Sequence, residues 1–187
     1  MTIWINGHTI FAFSDTHGAH RDLRVSEEVD IIICAGDVVE DNLKGGEYYD
    51  FIEWFSSLPA KWKIFVPGNH ELSFELGQAR AIEQAMAVHG ITVLKDAVED
   101  CGGVIIGSIS GNSTIADTDI PHDLDILITH MPPYGILDQD MGSLEILSFV
   151  LKSQPKHHLF GHIHATAGQE FQLGETICRN IAVESNS

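Results

Sequence analysis

Lys63-Ile64-Phe65-Val66-Pro67-Gly68-Asn69-His70-Glu71 is the stretch on which the reading of this chain turns. Its opening is a short, largely apolar run that reads as a buried strand, and Pro67-Gly68 is the turn signal that ends it. A strand that stops there hands its next residues to the edge of a sheet. What arrives is an amide oxygen, an imidazole and a carboxylate side by side, Asn69, His70 and Glu71. Such a set has little reason to gather at the end of a core strand unless it does chemistry.

Four other strand ends carry similar cargo. Thr2–Ile5 and Thr9–Phe13 read as two strands joined by the Asn6-Gly7 turn, the second delivering Asp15-x-His17. Side chains two apart on extended backbone point the same way, so Asp15 and His17 are expected to converge beyond the strand end. Asp30–Ala35 reads as a fully buried parallel strand delivering Gly36-Asp37, with Gly36 allowing close backbone approach. Asp125–Thr129 delivers His130, and His157–Phe160 delivers Gly161-His162-Ile163-His164, again a pair two apart.

Between these strands the sequence predicts connectors and helices. Ser26-Glu27-Glu28 is a candidate short helical turn and 40–47 an acidic, Gly-rich loop. Amphipathic helices are expected from Tyr48 to a stop at Leu58-Pro59, over 74–89 with Leu76 on its apolar face and Gly90 as its stop, and from Ser143 to Lys152. Tyr48, Phe51, Trp54 and Phe55 fall at helical spacing and are read as core. Ile91–Leu94 and Val104–Gly107 read as strands flanking a Cys101-Gly102-Gly103 turn, 108–123 as a polar loop, and 170–183 as a closing hairpin around Gly174-Glu175.

The bulk composition narrows the function. With 187 residues, 44% of them hydrophobic, the chain suits a single domain over 1–187. Ten basic against 27 acidic residues give a formal charge of -17, which repels a polyanion and argues against a surface for duplex nucleic acid. Cys34, Cys101 and Cys178 are scattered, with no CxxC spacing, and read as reduced packing residues of a cytoplasmic protein. No leader pattern and no apolar run of about 18 residues is present, so no membrane association is expected.

Strands alternating with helices imply parallel βαβ units whose carboxyl ends share one edge, where ligands bind. Asp15, His17, Asp37, Asn69, His70, His130, His162 and His164 would meet there. This donor set is too large and mixed for one tetrahedral zinc and suits two ions bridged by a carboxylate.

Asp15-x-His17, Gly36-Asp37, Gly68-Asn69-His70-Glu71, Thr129-His130 and Gly161-His162-x-His164, in that order, resemble the five motif blocks of the calcineurin-like metallophosphoesterase superfamily. The finer pattern, including Gly36-Asp37-Val38-Val39-Glu40 and Thr129-His130-Met131-Pro132-Pro133, is similar to the small metallophosphoesterase-domain-containing (brain protein 239-like) branch. The resemblance implies an α/β fold, the α-β-β-α sandwich of two mixed β-sheets flanked by helices. It also implies two divalent ions, manganese first, with iron, zinc or nickel as alternatives. One ion would be held by Asp15, His17, Asp37 and His164, the other by Asp37, Asn69, His130 and His162, with Asp37 bridging. A hydroxide shared by the ions would attack phosphorus in line, and His70, with Glu40 as partner, would serve the leaving group.

Two departures bear on the substrate. Asp41-Asn42 stands where phosphoprotein phosphatases carry Arg-Gly, which disfavours a protein phosphatase, and the polar loop before His130 is shorter than in the branch relatives. The expected activity is hydrolysis of small phosphodiesters, cyclic nucleotides among them. A phosphomonoesterase, a nuclease and a non-catalytic interaction module are the alternatives. Tyr134 could stack a base but is read first as a surface or packing residue. His8, His20, His122, His157 and His158 are expected to be solvated or locally hydrogen-bonded, and the oligomeric state is open.

Overall fold

Ile31–Cys34 shows how the chain builds its layers. Ile31 and Ile33 point to one face of the sheet and Ile32 and Cys34 to the other, all four are inaccessible to solvent, and each pair joins a different core. A strand buried on both faces lies in the middle of something layered. The computed structural model describes residues 1–26, 28–39, 46–69, 71, 79–111, 120–121 and 123–184. Among these, eleven strands form two sheets.

The first sheet runs in the order β1 (Thr2–Ile5), β2 (His8–Phe13), β3 (Ile31–Cys34), β4 (Trp62–Phe65) and β5 (Thr92–Val93). Its pairs are parallel except the β1–β2 hairpin, whose turn residues Asn6 and Gly7 both have positive φ, as a two-residue hairpin turn requires. The second sheet is built from β6 (Val98–Asp100), β7 (Ile105–Ile109), β8 (Ile126–Thr129), β9 (His157–Phe160), β10 (Glu170–Leu173) and β11 (Thr176–Asn180). Its order is β10-β11-β9-β8-β7-β6, with antiparallel hairpins at both edges and parallel strands between.

Isoleucines and valines from both sheets interlock in the central core, among them Ile10, Ile33, Ile64, Ile106, Ile126 and Ile128. Helices α1 (Gly46–Ser57) and α2 (Ala79–Val88) cover the outer face of the first sheet through Tyr48, Phe51, Phe55, Ile82 and Met86. Helix α3 (Leu144–Ser153) covers the second through Ile146 and Val150, and Ser143 caps it by accepting the Ile146 N–H at 3.2 Å. The arrangement is the α-β-β-α sandwich. The helix aromatics are core, as their spacing predicts, and the three cysteines are free and buried.

Local expectations needed revision in four places. A short helical turn not expected from the sequence forms at His20–Asp22, and the candidate turn at Ser26-Glu27-Glu28 includes Glu27, which lies outside the described residues. Strand β6 was not expected, because Val98-Glu99-Asp100 is acidic and short; it forms through pairing with β7 across the Cys101–Gly103 turn. Strand β7 continues to Ile109, two residues into the segment expected to be loop. Finally, β11 ends at Asn180, after which the chain crosses to β2. The expected 40–47 loop largely, the first part of the 74–89 helix with Leu76, and most of the 108–123 loop lie outside the described residues, as do Glu40, Asp41, Asn42, His70 and His122.

The crossing from β11 joins the two sheets beside their strand ends. Ser14 donates its N–H to Ile181 O at 3.1 Å, and Val183 donates to Ser14 O at 3.1 Å, making a parallel bridge between Ser14 and Ala182. Among the described residues, no helix is long and apolar enough to cross a membrane.

Candidate metal centre

The ends of β2, β3, β8 and β9 bring two groups of donors together. Asp15, His17 and His164 offer three ligand atoms within 4.8 Å of one another, and Asp37, His130 and His162 offer three more. The groups are close: His130 Nε2 is 3.2 Å from Asp37 Oδ2 and 3.9 Å from Asp15 Oδ1, so one imidazole faces a carboxylate of each. The His17 and His164 rings lie 5.5 Å apart and those of His130 and His162 5.3 Å apart.

The route to this convergence is not the extended backbone inferred from the i, i+2 spacings. Asp15, His17, Asp37 and His162 all have φ between 43° and 69°, in the left-handed region that side chains other than glycine occupy uncommonly. Each strand ends in an abrupt turn of the chain instead of running on. His162 and His164, expected on one side of the chain, consequently join different groups. Strained backbone at several donors at once is what a site pre-shaped for a ligand requires, because the surrounding fold must hold those conformations in place.

Hydrogen bonds fix two of the imidazoles in one tautomer. His130 Nδ1 lies 2.8 Å from Ala35 O, and His164 Nδ1 lies 2.8 Å from Val183 O. A carbonyl only accepts, so each Nδ1 carries a proton and Nε2 is the nitrogen that each ring has left for the site. Among the described residues, the buried Nε2 of His130 accepts no hydrogen bond, and neither does the buried Oδ1 of Asn69. Burial would lower the His130 pKa, but Asp37 and Asp15 outweigh it and hold the ring up at about 9. The pocket thus favours positive charge at the lone pair. Unsatisfied buried acceptors beside two buried carboxylates are the donor set a divalent cation satisfies.

Backbone contact is as close as the sequence suggested at Gly36. A Cβ there would reach 2.6 Å from Gly68 Cα, and one at Gly161 would strike Asp15 Oδ2 and Ser14 Oγ. Ser14 Oγ donates to Asp15 Oδ2, which also accepts the His162 N–H at 2.9 Å.

Glu71 was quoted with its motif but given no task by the sequence. It is fully buried and accepts N–H bonds from Asp37, Val38 and Gly68. Burial and the neighbouring Asp37 charge push its carboxyl up to about 7 against the pull of those donors. The available signal was a carboxylate directly after a turn; its three donors are set by tertiary contact.

Other histidines depart from their expectation. His20 is 2% exposed, with Nε2 2.9 Å from Asp50 Oδ2 and its ring against Phe51 and Trp54. His158 is fully buried and hydrogen-bonded across the sheet to Thr129, 2.8 Å from Nε2 to Oγ1. Both are held by residues distant in sequence. His8 and His157 have partners too, Gly102 O at 3.0 Å and the Arg179 guanidinium at 2.7 Å. Tyr134 is 47% exposed.

A cleft of about 800 Å³ opens beside the first donor group, lined by Asp15, His17, His164, Leu23, Ala182 and Val183 among others. Among the described residues, no lysine or arginine side chain lines it, and Asp22 and Glu184 do.

A two-sheet sandwich with two carboxylate–imidazole groups at its strand ends is a scaffold that could hold a pair of metal ions. The sequence profile of the calcineurin-like phosphoesterase family matches residues 8–166, and the chain belongs to that family. It is 32% identical over 205 residues to human metallophosphoesterase domain-containing protein 1, covering 87% of this chain and 62% of that protein. It is 31% identical over 188 residues to UPF0046 protein K07C11.7 of Caenorhabditis elegans, covering 85% of this chain and 64% of that one. The chain therefore spans less than two thirds of the length of these relatives, which place it in the metallophosphoesterase-domain-containing branch. Among solved structures, TT1561 of Thermus thermophilus superposes with a TM-score of 0.69 at 19% identity, over 94% of this chain and 89% of that one, and shares the fold.

Proposed function

We propose that this chain is a dinuclear metal-dependent phosphoesterase that hydrolyses small phosphodiesters, cyclic nucleotides among them. The observation that carries the reading is His130 Nε2, a buried nitrogen within 3.9 Å of carboxylates from both donor groups, at a place where those carboxylates favour positive charge. Asp15, His17, Asp37 and His164 would hold one divalent ion, and Asp37, Asn69, His130 and His162 the other, with Asp37 shared. Bound there, two such ions supply Lewis acidity to a nucleophilic water and to the phosphoryl oxygens. Imidazole-rich coordination suits manganese, iron, zinc or nickel better than magnesium.

The protein's own groups would do the rest. Ala35 O and Val183 O hold the Nδ1 protons of His130 and His164, so that Nε2 is the atom each ring would offer to an ion, and a cation arriving at His130 would displace the Nε2 proton that Asp37 and Asp15 favour. His70 would protonate or stabilise the leaving oxygen. The cleft of about 800 Å³ is within the range of small-molecule sites and lies against Asp15, His17 and His164. The net charge of -17 supports the same reading against long nucleic acid. Three buried free cysteines fit residence in a reducing compartment such as the cytoplasm.

The test is hydrolysis of bis-p-nitrophenyl phosphate beside p-nitrophenyl phosphate, by chelator-stripped protein before and after addition of manganese. Metal-restored activity that favours the diester is expected. Metal-restored activity confined to the monoester would make the chain a phosphomonoesterase. Activity on neither, with two ions bound, would refute hydrolysis of small simple phosphoesters.

A further inference from the structure

The Glu71 carboxylate closes a ring of three backbone donors. Oε2 accepts the Asp37 N–H at 2.9 Å and the Gly68 N–H, and Oε1 accepts the Val38 N–H at 2.8 Å. Two donors belong to the loop after β3 and one to the loop after β4, so one side chain ties the turn carrying Asp37 to the turn carrying Asn69. Gly36 and Asp37 have φ of 90° and 54°. In this turn the successive N–H groups of Asp37 and Val38 face one concavity, a nest that binds anions. Here the anion is a side chain of the same fold.

The carbonyls of the turn are bonded on their other side, Gly36 O to the Asp15 N–H at 2.9 Å, Asp37 O to the His17 N–H at 3.1 Å and Val38 O to the Gly18 N–H at 2.9 Å, and its packing is tight. A Cβ on Gly36 would run into the Gly68 backbone, and one on Gly68 would lie 2.8 Å from His130 Nδ1 and strike the Asp37 carboxylate. On the N–H side of the turn, what holds Asp37 left-handed and 3.2 Å from His130 Nε2 is the charge-assisted bond to its own N–H and to the next one. Both carboxylate oxygens are engaged by backbone.

We propose that Glu71 is a positioning residue: as the internal anion of this nest it fixes the backbone of Asp37 and sets the carboxylate's reach towards His130, and so the affinity of the metal pair. The inference rests on the reading of Asp37 and His130 as ligands. Glutamine cannot replace it, because one of its two arms is an NH2 donor that would face a backbone donor. Aspartate is one methylene too short to span both loops.

The experiment is manganese titration of chelator-stripped protein by calorimetry, with electron paramagnetic resonance to detect the spin-coupled pair, on the native chain and on Glu71→Gln. Residues that orient ligands typically change metal affinity by about 10- to 100-fold when replaced. A loss of that size for at least one ion is expected, with weakening of the coupled signal, in protein that remains folded by circular dichroism. Native affinity and coupling in Glu71→Gln, whatever its thermal midpoint, would reduce Glu71 to a stabilising contact and overturn the proposal. Should Glu71→Gln not fold, Glu71→Ala empties the nest for added formate. Affinity recovered in formate and not in chloride of equal ionic strength is expected, and its absence would overturn the proposal. Fewer than two ions in the native chain would instead refute the dinuclear reading itself.

Discussion

His158 makes the fold acid-sensitive by a calculable amount. The Thr129 hydroxyl donates its one proton to Met131 O at 2.6 Å, so at the 2.8 Å contact the donor must be His158 Nε2–H. That fixes the tautomer and leaves Nδ1 as a bare nitrogen, buried without a hydrogen-bond partner among the described residues. Protonating it would place a charge in the second sheet with nothing to meet it, and burial pushes the pKa from 6.5 down to about 3. The unfolded chain takes up this proton first, so stability is unaffected above pH 6.5, falls as pH drops below it, and levels off only near the folded-state value. Between pH 7 and pH 4.5 the loss from this residue is about 2.5 kcal/mol. His158→Met keeps most of the volume, leaves the Thr129–Met131 bond in place and removes the titration, at a cost near neutral pH of about 1 kcal/mol for the lost hydrogen bond. Urea unfolding of chelator-stripped native and variant protein across about pH 4.5–7 isolates the contribution, because other titrating groups cancel in the difference. The two curves should converge and then cross as pH falls. Parallel curves would refute the neutral-tautomer reasoning.

Three further outcomes are expected. Asp37→Ala should lose metal as well as activity, read by elemental analysis after gel filtration; full occupancy would rule out the bridging role. His70→Ala should retain both ions and slow turnover most for esters with poor leaving groups, so equal slowing across a leaving-group series would remove its proton-donor role. Gly36→Ala combines a left-handed backbone with collision against Gly68 and should cost about 2–5 kcal/mol in urea unfolding; a loss below about 1 kcal/mol would mean that the two loops can separate.

What could be read early was what local chemistry encodes. Ile31–Cys34 announces a strand buried on both faces because isoleucine leads it without a polar break, and Phe51, Trp54 and Phe55 announce a covered helix face by their spacing. Val98–Asp100 announces nothing, since its strand exists only by virtue of β7 alongside it. His20 and His158 were likewise expected to be solvated or locally hydrogen-bonded, because nothing near them in sequence reveals Asp50 or Thr129 as partners.

The candidate site divides in the same way. The sequence by itself determined which donors the chain owns and that they follow strand ends, because side-chain type and the strand-then-turn pattern are local properties. A division of those donors came from the family resemblance and from no local pattern; the tertiary structure groups Asp15 with His17 and His164, and Asp37 with His130 and His162. It also decided which imidazole nitrogen faces inward, through carbonyls at Ala35 and Val183 that lie 95 and 19 residues away in sequence. A left-handed φ at four donors and a glutamate seated in a nest arise where two loops press together. Their physical cause is the contact between strand ends in the folded sandwich, which no window along the chain contains.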